Sequence, residues 1–193
     1  KVMVPDAAPP GTAWDRARQG GFAGAFFETI KFSLSDPVGF FGGVDTGESN
    51  FRAWLYALII SCVVFVFAAA YQAGFQALAI GFDLAGEIGK AFTPLAFLTI
   101  PVSLGALVGV SVVAVPSVAT LVLFLQSGVY HLCLLVLGEG KGGFWKSFRV
   151  VCYSNGPQVF QIVPFLGGLV APVWQMVLAI VGMKVVHRTS YAR

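Results

Sequence analysis

Three stretches of this chain carry no Asp, Glu, Lys or Arg: 30 residues from Ala53 to Phe82, 48 from Ala91 to Gly138 and 34 from Val150 to Met183. A helix crosses the hydrocarbon core of a bilayer with about 20 apolar residues, so each stretch has room for one or two crossings. The first predicts a span starting near Ala53, with Arg52 and Trp54 at its border. The second predicts a span over 116–137, preceded by a segment over 94–113 that holds Pro94 and Pro101 and reads as a full span, a kinked helix or a re-entrant element, with a re-entrant or interfacial path preferred. The third predicts a span over 147–164, a turn at Leu166-Gly167-Gly168, and a last span ending near Val186. Beyond the first span, Ala69, Ala73, Ala77, Gly81, Ala85 and Gly89 recur every four residues, a stripe of small side chains that lets another helix approach. Gln76, Asp83, Glu87 and Lys90 fall on a different face, so 75–92 is expected to lie along the membrane surface.

Ahead of the first span the pattern is amphipathic. Phe22, Phe26, Ile30 and Leu34, with Phe27 beside them, share one helical face, and Asp36-Pro37 is expected to end that helix. Such an aromatic helix reads as one lying in the membrane interface, with Trp14, Phe22, Phe26, Phe27 and Ile30 as its interfacial residues. The same face would also suit packing on the protein's own spans or on a partner. The chain thus divides into a flexible Pro-rich lead (1–12), an amphipathic helix with a Gly-rich loop from Gly39 to Asn50 (13–50), and a transmembrane domain (51–193). The fold class is all-α: a polytopic bundle of about four spans plus one ambiguous or re-entrant apolar segment, with an N-terminal amphipathic interfacial helix.

Composition strengthens this picture. Only 11% of residues are charged, against about 25% in soluble domains, and a chain of 193 residues has too small an interior to hide the remainder. The net charge of +3 is scattered, which argues against nucleic acid as a partner. Of the Lys and Arg residues, five precede the first span (Lys1, Arg16, Arg18, Lys31, Arg52), three sit at Lys141, Lys146 and Arg149, and three at Lys184, Arg188 and Arg193. The positive-inside rule places all three groups in the cytoplasm, which requires an even number of crossings between Arg52 and Gly138. Cys62, Cys133 and Cys152 sit in apolar runs with no disulfide or zinc spacing and read as packing residues.

Polar groups within the apolar runs are the candidates for chemistry, because each costs free energy in hydrocarbon unless satisfied. Ser154, Gln158 and Gln161 share a face of the 147–164 span, with Asn155 adjacent, and Gln175 lies on the last span. Pro157 cannot donate to the Tyr153 carbonyl and is expected to kink the helix. These amides either bond between helices or line a site for a small solute or ion. His131 is a lone intramembrane histidine, more readily a packing or hydrogen-bonding group than a metal ligand. No catalytic order, metal motif or phosphate-cradling loop appears, so no catalytic, cofactor or metal residue is assigned.

Several segments resemble the Yip (Ypt-interacting protein) membrane family, in its prokaryotic branch. They are YHLCLLVLG from Tyr130, FRVVCYSNGPQ from Phe148, VPFLGG from Val163, APVWQMVLAIVGMKVVHRTS from Ala171, and FAGAFFETIKFSLSDPVGFF upstream. The resemblance implies a multi-pass membrane protein with a cytoplasmic N-terminus and, by way of eukaryotic relatives, contact with small GTPases. The expected function is a non-enzymatic scaffold or accessory subunit in the prokaryotic inner membrane, with lipids and other membrane subunits as partners. A transport or channel component built on the kinked 147–164 helix is the alternative.

Overall fold

The computed structural model describes residues 11–17, 21–44, 49–87, 94–139 and 142–188. Among these residues six α-helices follow in order: α1 (Phe22–Ser35), α2 (Pro37–Gly43), α3 (Asn50–Glu87), α4 (Pro94–Val136), α5 (Phe144–Tyr153) and α6 (Leu166–His187). A 3-10 segment, Gly156–Ile162, lies between α5 and α6. No strand occurs among the described residues.

Among the described residues three helices hold stretches long and apolar enough to cross a membrane, by length and composition: Asn50–Phe75 in α3, Ser111–Val136 in α4, and all of α6. Apolar side chains on their outer faces remain exposed, as a lipid solvent permits. Two expectations change here. The segment after Phe75 is not a separate surface helix; α3 continues to Glu87, through an Ala-rich stretch with no proline to stop it. The 94–113 segment does not re-enter; α4 runs unbroken from Pro94, where proline's fixed φ suits a first helical turn. The side-chain faces expected around Asp83, Glu87 and Lys90 lie outside the described residues. Two helices, α3 and α4, thus separate Arg52 from Gly138.

The fourth expected span is broken. Arg52 Nη1 donates to the Trp14 and Asp15 carbonyls, and Asp15 holds Arg149 of α5. Tyr71, further along α3, donates to the carbonyl of Ile162, and Phe75 meets Phe165 edge-on at 6.1 Å. Arg52 and Tyr71 stand about 28 Å apart at ~1.5 Å per helical residue. The chain from Arg149 to Ile162 therefore runs the depth of the bundle, but as a short α-helix followed by a 3-10 turn. The expected kink at Pro157 is a full break. Pro157 opens the 3-10 segment, and Gln158 N donates to Asn155 O at 2.9 Å instead of continuing the α pattern.

At the N-terminal side, α1 lies on the bundle, burying Thr29, Ile30 and Ser33. The expected Gly-rich loop begins later than predicted. Asp36 caps a second helix, accepting from Gly39 N at 2.9 Å, and α2 buries Phe40 and Phe41 against α6 and Tyr153. Gly11 and Thr12, assigned to the lead, are bonded in place through Gly43 O and Asp15; residues 1–10 lie outside the described residues.

Candidate functional site

Three polar clusters occupy the interior. The first joins four of the expected residues. Gln161 Nε2 donates to Gln158 Oε1, Gln158 Nε2 to Gln175 Oε1, and Gln175 Nε2 to Asn155 Oδ1 at 3.3 Å. Asn155 Nδ2 closes the series on the carbonyl of Val151 at 2.9 Å. The donors all point one way along the series, an arrangement in which each bond polarises the next. The α5 break makes this possible, because it turns Asn155 and Gln158 toward α6. Gly167 lets the first turn of α6 press on the 3-10 backbone: a Cβ there would overlap the Phe160 carbonyl. Ser154 stands outside the series and bonds back to Val150 O at 2.8 Å. Pro157 is fully buried and contributes the break rather than a hydrogen bond to the series.

The second cluster takes His131 elsewhere. Its Nδ1 lies 3.0 Å from Ser147 Oγ, which lies 3.1 Å from His187 Nε2. Sequence reasoning saw both histidines singly; Ser147, which joins them, carried no signal beyond its place next to Lys146. The Ser147 side chain is fully enclosed, so its hydroxyl meets no substrate from outside. Among the described residues no group of three His, Cys, Asp or Glu side chains is placed to hold a metal.

The third cluster was not foreseen. Asp15 Oδ2 lies 2.9 Å from Arg149 Nη2, with both side chains buried. The carboxylate also accepts from Thr12 N at 3.1 Å, Thr12 Oγ1 at 3.0 Å and Tyr153 OH at 2.7 Å. Burying a charge pair costs desolvation that attraction offsets only with the help of further hydrogen bonds, and the Asp15 carboxylate accepts three of them besides its contact with Arg149. Arg149, at the very edge of a charge-free run, was the available hint; nothing in linear spacing points to Asp15.

The interfacial set divides. Trp14, expected at the membrane interface, is 2% exposed and belongs to the core. Its Nε1 donates to Arg52 O at 2.7 Å and its ring meets Phe22 and Phe26 edge-on. An indole that finds a buried acceptor has no need of the wet interface. Ile30 is likewise buried and Phe26 half-buried, while Phe22 and Phe27 are exposed. The helix packs on its own bundle with one aromatic edge outward.

Neither a curated protein nor a solved structure matches this chain. The family model of the Yip1 domain does, over residues 10–193, which includes the docked segment at Trp14 and every helix described above. A multi-pass set of apolar helices and a match over nearly the whole length agree: the chain is an integral membrane protein of the Yip1 domain family.

Proposed function

We propose that this protein is a non-enzymatic membrane scaffold or accessory subunit. The observation that carries the reading is the amide series: Asn155, Gln158, Gln161 and Gln175 spend donors and acceptors on one another, as interhelical glue does. This supports packing over the transport alternative, which needs those groups turned to a hydrated path. The other support is the unequal burial of the spans. Only 11% of the apolar window of α4 is buried within the protein, against 33% of α6, leaving a long face for lipid or another membrane subunit. Exposed Phe22 and Phe27 suit the edge of the bilayer.

In this reading the protein belongs to the prokaryotic inner membrane, with the N-terminal segment, the 138–149 loop and the tail after α6 in the cytoplasm, where a GTPase-type partner would be met. The two helices between Arg52 and Gly138 satisfy the parity this orientation needs. Single cysteines at Ser49 and Glu139 should label from the same side. Purification in mild detergent with mass analysis tests the function: a scaffold retains another membrane subunit or its own copies, whereas a strictly monomeric, partner-free protein would sink it.

A further inference from the structure

Where α6 ends, a cavity of about 370 Å³ opens between α2, α5 and α6, lined among others by Gly42, Gly142, Lys146, His187 and Arg188. Small-molecule sites begin at roughly 300 Å³. Among the described residues no Asp or Glu lines it, and neither Lys146 nor Arg188 forms an ion pair. One basic residue at the end of α6 is expected, since the helix C-terminus is electronegative, but Lys146 comes from another helix and has no such duty.

His187 supplies the second, independent observation. The residue is 8% exposed; Nε2 is engaged with Ser147, and Nδ1 is buried with no hydrogen-bond partner among the described residues. That nitrogen faces Gly142 in the cavity wall, where a Cβ would lie 2.6 Å from it. A buried ring nitrogen left unbonded forfeits its hydration without return. When Ser147 donates to Nε2, Nδ1 carries the ring proton and becomes a donor beside two cations. Two cations from different helices and one N–H around a polar recess match a phosphate group, and basic pockets at the cytoplasmic ends of transmembrane helices take phosphorylated headgroups.

We propose that this cavity binds a phosphate monoester, with Lys146 and Arg188 pairing its oxygens and His187 Nδ1–H donating to it. The same chemistry is presented by an anionic lipid headgroup and by free phosphate. The site stands apart from the scaffold reading and from the amides on which that reading rests.

The test uses the full chain in nonionic detergent, titrated calorimetrically with short-chain phosphatidic acid, with short-chain phosphatidylcholine, and with inorganic phosphate against chloride at matched ionic strength. Phosphatidic acid should bind and phosphatidylcholine should not. Lys146→Ala and Arg188→Ala should each weaken binding by about tenfold or more, while Lys31→Ala, an exposed cation on α1, changes nothing. Competition by inorganic phosphate supports a site that reads the phosphate alone; phosphatidic acid binding without that competition supports a lipid headgroup. Equal binding of the two lipids, or losses no greater than for Lys31→Ala, overturns the proposal. Should Lys146→Ala fail to fold, Arg188→Ala decides, because its side chain is exposed.

Discussion

The Asp15 cluster and the amide series solve the same problem, polar groups in an apolar bundle, with opposite means. Asp15 and Arg149 are charged, lie 134 residues apart, and are shut away from solvent by the docked N-terminal segment. The amides are neutral and lie 3 to 20 residues apart; Asn155 and Gln175 are buried, while Gln158 and Gln161 are only partly so. Loss of one member should therefore weigh differently. A neutral amide left alone can turn to a backbone carbonyl or to water at the bundle's edge. A carboxylate left alone in the core has neither.

The largest expected effect follows directly. Arg149→Leu strands the Asp15 carboxylate and should cost about 3–5 kcal/mol, read as a collapse of folded yield and of the thermal midpoint in detergent. Joining it to Asp15→Leu should restore most of that loss, since the paired charges give little net gain over apolar packing. A single variant as stable as the parent would erase the distinction between the clusters. Next comes Gly167→Ala, which places a methyl on the Phe160 carbonyl and forces the 3-10 backbone away from α6, at about 1–3 kcal/mol. Gln175→Leu removes two interhelical bonds and should cost about 1 kcal/mol at ~0.6 kcal/mol each. A cost as large as that of Arg149→Leu would mean the amides act as one indivisible unit. Smallest is Leu125→Ala, on the open face of α4: stability of the isolated protein should move by less than about 0.5 kcal/mol.

How much of this was readable from the chain depends on how far apart the partners lie. The charge-free runs located the apolar cores of α3, α4 and α6, because hydropathy over one helix is a local property. The amides were legible as a set because their helices form a hairpin, so spacing along α5 and α6 nearly determines who meets whom. Pro157 signalled a disturbance but not its extent. Ser154 and Asn155 take over carbonyls of α5 with their side chains, which favours ending the helix over bending it. Trp14 misled because an indole beside a span is read as an anchor, and only tertiary structure supplies the Arg52 carbonyl that draws it inward. His131 and His187 were visible but unpaired, since Ser147 joins them from a third helix.

The docked N-terminal segment also sets an order of events during synthesis. Asp15 leaves the ribosome 134 residues before its partner, an interval of roughly seven to twenty-seven seconds at about 5–20 residues per second. Throughout that interval residues 11–17 have no cation in α5 to close upon. The carboxylate stays in water while α3 and α4 are inserted. Pairing with Arg149 is then a late event, so a segment made ahead of every described helix is among the last to reach its native place. A nascent chain halted before residue 149 should leave this segment open to protease, and one released after α6 should not.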